Sequence, residues 1–287
     1  MNKRISPAEL AAAASRFRAV AVDLDGTALL PDSTFSPRVL AAFKRCEEQG
    51  IQVLVATGRS PRSAERFRTV IGASGPMIYF NGAAVVDAPS GKVMASTPVP
   101  TDVIAGCLEI ARRMDLHFQA FLSDERLVCR DVREESVMYR DHTGLQGEVV
   151  DFDELLSRTG PDAPVFIKGM YIAEPERFPP AEEAIDQKFG TRVYRARTYR
   201  TFLEVMNNGV SKGNALKVAL NFRGLDCSQC VAFGDAENDG PMLEAAGLGV
   251  AMENASAALK KIADDIAPSN VQDGVAVYLE RLLDLKR

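Results

Sequence analysis

The run "FRAVAVDLDGTALL", residues 17–30, decides how this chain is read. Ala19, Val20, Ala21 and Val22 form a short apolar, partly β-branched stretch, the pattern of a buried strand. The stretch nevertheless leads into two carboxylates, Asp23 and Asp25, flanking Leu24, and then turns at Gly26-Thr27. Two acids this close repel, and burying either costs free energy unless a partner offsets it. The partners have to come from elsewhere in the sequence.

Working outward, strands ending in polar residues recur, each followed by helix signals. Ser36-Pro37 opens a helix that stops at Gly50, "IQVLVATGR" (51–59) is the next strand, and Ser60-Pro61 starts the next helix. "PMIYFNGAAVV" (76–86) reads as a third strand with a turn at Asn81-Gly82. After a long interval come a helix in "KGNALKVALNFRG" (212–224), the strand "CVAFGD" (230–235) and a helix from about Pro241. The strand "GLGVAM" (247–252), an amphipathic helix in "ASAALKKIADDIA" (255–267) and a last helix in "GVAVYLERLL" (274–283) complete the chain. Such alternation predicts a doubly wound α/β domain with a parallel sheet covered by helices.

Residues 86–207 read differently. A helix over Asp102 to Met114 precedes the strands "HFQAFLSD" and "RLVCRDV"; a helix in "PPAEEAIDQKFG" precedes two more in "RVYRARTYRTFLEVMN". Paired strands with short turns predict an antiparallel sheet with helices on one face, an α+β insert. The expected division is a discontinuous core, 1–85 and 208–287, and an inserted domain, 86–207.

Composition narrows the function. A chain of 287 residues suits two domains, and no run of 18 apolar residues suggests a membrane span. A net charge of −5 argues against a general binder of nucleic acid or anionic membranes. The N-terminus lacks the apolar segment of a secretory signal; it is basic and alanine-rich, as a transit peptide is, but Ser6-Pro7 reads better as the cap of a short helix. Five cysteines, an odd number, point to a reducing compartment, the cytoplasm. Cys227-Ser-Gln-Cys230 has no second CxxC to complete a zinc site, so its cysteines read as small residues entering a strand.

In parallel α/β sheets ligands sit beyond the carboxyl ends of the strands. Those ends here are Asp23 and Asp25, then Thr57-Gly58-Arg59, then Asn81, then Gly234-Asp235 with Asn238 and Asp239, while Lys212 opens a helix. Four carboxylates at one edge repel one another and any anionic substrate, so a cation is required. An all-oxygen donor set without His or Cys suits Mg²⁺. Lys212 and the Thr57 hydroxyl add a positive charge and a donor, and backbone N–H groups at turns complete an anion cradle. The edge is built for a phosphoryl group.

"DLDGTALL", "ATGRS", "GVSKGNAL" and "GDAENDGPML" resemble the four motifs of the haloacid dehalogenase-like (HAD) superfamily, over roughly residues 18–285. Their order, with an insert between the second and third, is similar to the Cof-like IIB phosphatases. The resemblance implies a Rossmannoid core with a C2-type cap and Mg²⁺-dependent phosphomonoester hydrolysis. It implies that Asp23 is the nucleophile, attacking phosphorus to form an aspartyl phosphate, and that Asp25 protonates the leaving oxygen and then activates water. Asp23, Asp25 through its carbonyl, and Asp235 would hold Mg²⁺, with Asp239 a ligand or an acid behind the ligands. Thr57 and Lys212 would bind phosphoryl oxygens, Lys212 also orienting Asp23; Leu24 and Gly58 belong to the same phosphate cradle, and Gly26 and Thr27 shape its turn. Asn238 would orient the metal or Lys212, and Arg59 and Asn81 would face the entrance.

Each residue also has a plainer reading: Asp23 as a strand-end turn, Asn238-Asp239 as a helix entry, Lys212 as a solvated first-turn lysine. His117 and His142 read as core or surface histidines, and Arg195, Arg197 and Arg200 as a solvated strand face. The expected substrate is a small phosphorylated metabolite such as a sugar phosphate, nucleotide or phosphorylated vitamin, with no nucleic-acid or membrane partner, acted on by a monomer or homodimer. A phosphomutase and a non-catalytic phospholigand-binding module are the competing functions; intact Asp23 and Asp25 argue against the second, because binding alone needs neither.

Overall fold

The computed structural model describes residues 5–87 and 90–286. In chain order the elements are α1 (Pro7–Arg16), β1 (Ala19–Val22), α2 (Pro37–Glu48), β2 (Gln52–Ala56), α3 (Pro61–Ile71), β3 (Met77–Tyr79), β4 (Ala84–Val86) and β5 (Val93–Ser96). Next come α4 (Thr101–Met114), β6 (His117–Leu122), β7 (Leu127–Cys129), α5 (Glu134–Thr143), β8 (Glu148–Val149), α6 (Phe152–Ser157), β9 (Phe166–Ile172), α7 (Phe178–Phe189), β10 (Val193–Tyr199) and β11 (Phe202–Asn207). The chain closes with α8 (Lys212–Phe222), β12 (Cys230–Gly234), α9 (Gly240–Ala245), β13 (Leu248–Met252), α10 (Ala257–Ile262), β14 (Asp265–Ala267) and α11 (Gly274–Leu285).

Two compact units result: residues 1–59, 64–95 and 211–287 form one, and residues 60–63 and 96–210 the other. The first holds an eight-stranded sheet in the order β14-β13-β12-β1-β2-β3-β4-β5. From β14 to β3 all pairs are parallel, and β3–β4 is an antiparallel hairpin. The turn at Asn81-Gly82 therefore makes two strands of the "PMIYFNGAAVV" run, and β5 extends the sheet to Ser96, beyond the joint expected at residues 85/86. Every residue of β1, β12 and β13 is buried, as for parallel strands covered on both faces.

Local chemistry sets the helix starts. Ser6 accepts the Glu9 N–H while Glu9 accepts the Ser6 N–H, a reciprocal cap on α1, and Ser36 caps α2 at Val39. One expectation is overturned: the helix read through "ASAALKKIADDIA" stops at Ile262, and Asp265–Ala267 pairs with β13 as strand β14. Sheet pairing outweighs the local helical period there.

The second unit is a six-stranded sheet in the order β10-β11-β9-β6-β7-β8. Val103, Ile104, Cys107 and Ala111 of α4 and Ala181 and Ile185 of α7 pack in one core with Phe118, Phe166, Tyr171 and Leu203 from the strands. Arg195 and Arg197 on β10 pair with Glu182 and Asp186 of α7, which fits their plainer reading. His117 is fully buried, and His142 stacks on Tyr199 at 4.4 Å. Among the described residues no helix is long and apolar enough to cross a membrane.

Candidate active site

Sheet register brings the strand ends together. Val22 at the end of β1 lies level with Val55 of β2 and Phe233 of β12, so Asp23, Thr57 and Asp235 emerge at one edge. After Asp23 the chain makes a tight turn over Leu24–Ala28 in which Gly26 has φ +81°. A Cβ on Gly26 would lie 2.3 Å from Oδ2 of Asp235, so both the positive φ and the close approach require glycine. Thr27 Oγ1 donates to Asp235 Oδ1 at 2.9 Å, tying the turn to the opposite strand end.

Lys212 is placed from the far side. Ser211 caps α8 by accepting the Asn214 N–H, which makes Lys212 the first helical residue. Gly213 lets α8 approach α9, since a Cβ there would lie 2.1 Å from the Pro241 carbonyl. The lysine is 1% exposed, and its Nζ donates to Asp23 Oδ1 and Asp239 Oδ1, each at 2.6 Å. Asp239 is fully buried, and its Oδ2 accepts the N–H groups of Asp235 and Ala236 at 2.9 and 3.0 Å.

One lysine thus faces three clustered acids. Asp23, Asp235 and Asp239 offer carboxylate oxygens within 4.8 Å of one another, the one such group of metal-ligating residues found among the described residues. Burial raises the Asp23 carboxyl well above the usual range; Lys212 opposes the rise, and Asp239 and Asp235 add to it. Asp235 is pushed up to about 6, by burial first and then by Asp239. Burial works against the Lys212 charge, yet Asp23 and Asp239 outweigh it and raise the ammonium's pKa. An excess of negative charge on hard oxygen donors is what a divalent cation such as Mg²⁺ relieves, so the residues fit one.

The other expected residues divide. The Asp25 carboxylate stands outside the acidic cluster, and its expected metal contact is the backbone carbonyl: the carboxylate is half exposed and held by Arg59, whose Nε and Nη2 donate at 2.8 and 2.6 Å. Its two oxygens are occupied by that fork, which leaves only its backbone carbonyl for a metal. Arg59, expected at an entrance, is engaged with Asp25 and lies over the Phe67 ring. Asn81 is buried, not lining an open mouth, and its φ is +57°. Its side-chain carbonyl accepts from Asn238 Nδ2 at 2.9 Å, so Asn238 braces the β3–β4 turn. Thr57 is buried, with its hydroxyl accepting the Arg59 N–H at 3.1 Å; Leu24 and Gly58 sit in the turns after β1 and β2.

Sequence reasoning missed the loop after β13. Asn254 Nδ2 donates to the Gly26 carbonyl at 2.7 Å, and the Ser256 N–H donates to the Asp235 carbonyl at 3.0 Å. The end of "GLGVAM" was absent from the roll of strand ends, and including it would have pointed to both.

The pattern of the haloacid dehalogenase-like hydrolases matches residues 20–279. The chain belongs to that family. An HMP-PP phosphatase of Serratia proteamaculans is 30% identical, over 93% of this chain and 96% of its own. A haloacid dehalogenase-like hydrolase of Bacteroides thetaiotaomicron has the same fold, with a TM-score of 0.82 at 26% identity over 93% of this chain and 99% of its own. A HAD subclass IIB sugar phosphatase shares the fold at a TM-score of 0.77 and 20% identity, over 92% and 98%. The protein is a HAD-type phosphatase with the fold of subclass IIB, the Cof-like type.

Proposed function

We propose that this HAD phosphatase is a Mg²⁺-dependent phosphomonoesterase that releases phosphate from small phosphorylated metabolites through an aspartyl phosphate on Asp23. The observation that carries the reading is Asp23 itself: a carboxylate at the end of β1, one oxygen fixed by Lys212, beside two further buried or half-buried acids. The substrate class is supported by what the relatives act on, an HMP-PP in one and a sugar phosphate in another.

Asp23 attacks phosphorus in line, a bond forms between its carboxylate oxygen and phosphorus, and the bond to the leaving oxygen breaks. Asp25 gives its proton to that oxygen. It then takes one from water as the water attacks the acyl phosphate, and Asp23 is regenerated with inorganic phosphate as product. For this Asp25 has to exchange the Arg59 fork for the reacting oxygens. Lys212 and the Thr57 hydroxyl hold phosphoryl oxygens with the backbone N–H groups of the turns at Leu24 and Gly58. Asp23, Asp235 and the Asp25 carbonyl would hold Mg²⁺, which supplies charge neutralisation between the acids and the phosphoryl group. Asp239 is spent on Lys212 and two N–H groups and so backs the site. Five free cysteines fit the reducing cytoplasm.

The test is phosphate release across a panel of sugar phosphates, nucleotides and phosphorylated vitamins, with Mg²⁺ and with chelator, in wild type and Asp23→Asn. Metal-dependent release that vanishes in the variant is expected. An isomerised hexose phosphate without free phosphate would establish a mutase; no turnover of any panel member would establish a binding module.

A further inference from the structure

The turn that carries Asp25 is held from outside by two asparagines. Asn254, in the loop between β13 and α10, donates through Nδ2 to the Gly26 carbonyl at 2.7 Å. Its Oδ1 accepts the Asn270 N–H at 3.1 Å, and Asn270 Nδ2 donates to the Leu29 carbonyl at 2.8 Å. The pair therefore grips the turn at its middle, Gly26, and just past its end, Leu29. The partners fix the amide's orientation, because a backbone carbonyl only accepts and an N–H only donates. Asparagine alone among short side chains meets both demands: aspartate has no donor, and serine lacks the reach.

The grip matters because Arg59 holds the Asp25 carboxylate and Thr27 ties the turn to Asp235, while Asn254 holds the Gly26 carbonyl that lies between them in the chain. Asp25 has φ −78° and ψ +116°, and Gly26 follows at φ +81°, so the backbone leaves helical geometry between two residues of a tight turn. Glycine tolerates many conformations, and a small rotation at Gly26 swings the neighbouring Asp25. Asn254 is itself exposed, so water can replace its bond to Gly26 at small cost to folding. What water cannot supply is orientation. Two residues on, the Ser256 N–H holds the Asp235 carbonyl, so one loop sets the turn and the metal-side acid against each other.

We propose that Asn254, backed by Asn270, is a positioning residue that aims Asp25 at the leaving oxygen by fixing the Gly26 carbonyl. This rests on the proton-carrying role given to Asp25 above. A misaimed acid handicaps substrates whose leaving group needs a proton and spares those whose leaving group does not.

The experiment compares kcat/KM for phenyl phosphate and 2,4-dinitrophenyl phosphate, both aryl esters but different in need of a proton, in wild type, Asn254→Ala, Asn254→Asp and Asp25→Ala. Asp25→Ala should cost about a hundredfold or more on phenyl phosphate and far less on the dinitrophenyl ester. Asn254→Ala should cost about tenfold on phenyl phosphate and less than about twofold on the other. Asn254→Asp should lose at least as much, with a melting temperature as in wild type and kcat/KM read at saturating Mg²⁺. Equal losses on both esters in Asn254→Ala, or none, overturn the positioning role if Asp25→Ala still separates the esters. If Asp25→Ala does not separate them, the acid assignment itself falls, and this inference with it.

Discussion

Two buried lysines in this molecule meet carboxylates at the same distance and differ in what surrounds them. Lys168 in the second unit donates to Glu204 at 2.6 Å, with side chains 4% and 5% exposed, and lies over the Phe121 ring. Lys212 in the first unit donates at 2.6 Å to each of two acids, with a third, Asp235, in the same cluster. The Lys168–Glu204 pair matches opposite charges and links strands β9 and β11. One lysine against three acids leaves an excess of negative charge that bound protons or a further cation would offset, and burial makes that excess costly. The difference teaches that a buried ion pair reports architecture, whereas an unbalanced one reports a site.

Breaking the unbalanced cluster should have the largest effect on activity. Asp23→Asn is expected to lower kcat by at least about a thousandfold while the protein stays folded, because an amide does not attack phosphorus. Without metal its melting temperature should equal or exceed that of wild type, since a repelling charge is gone. A variant that keeps more than about a hundredth of the rate would remove Asp23 from the chemistry.

The balanced pair should respond in the opposite currency. Lys168→Met leaves Glu204 buried without that partner and should cost about 3–5 kcal/mol of stability by urea denaturation. Adding Glu204→Leu should recover most of the loss, because an apolar pair of similar size replaces the ions without a desolvation cost. If the double variant is no more stable than the single, the lysine and the glutamate do not stabilise the sheet chiefly through each other.

Acidity sharpens the contrast further. With Asp235 raised to about 6 and Asp23 raised also, the metal-free folded chain holds protons that the unfolded chain has already released. Stability from these groups is therefore present at low pH and lost as pH rises through about 6. Mg²⁺ competes with the same protons, so the rise in melting temperature on adding Mg²⁺ should be larger at pH 7 than at pH 5. An equal shift at both would place the metal elsewhere.

The smallest expected effect lies at the edge of the cluster. Asn238→Ala removes the bond to Asn81 and loosens the β3–β4 turn while the Lys212 bonds to Asp23 and Asp239 stay, so kcat should fall about tenfold or less, a hundredfold above the Asp23 variant. A loss as deep as that of Asp23→Asn would mean that Asn238 reaches the reacting groups directly.

The sequence by itself determined most of the strands of the parallel sheet and the helices that cover it, because burial periodicity and capping are local signals a few residues long. Strand ends of one parallel sheet share an edge, so listing them was enough to gather Asp23, Thr57 and Asp235, with Lys212 added from a helix start. What only the tertiary structure decided is which atoms meet. Asp23 and Lys212 are 189 residues apart, Thr27 and Asp235 208, Asn254 and Gly26 228. No local pattern says that Asp25 is clasped by Arg59, that Asn238 braces Asn81, or that Asp265–Ala267 leaves a helical period to pair with β13. Each of these is a choice among partners made by distance and burial after the chain has folded, and hydrogen bonds and sheet pairing take the partner that packing brings near.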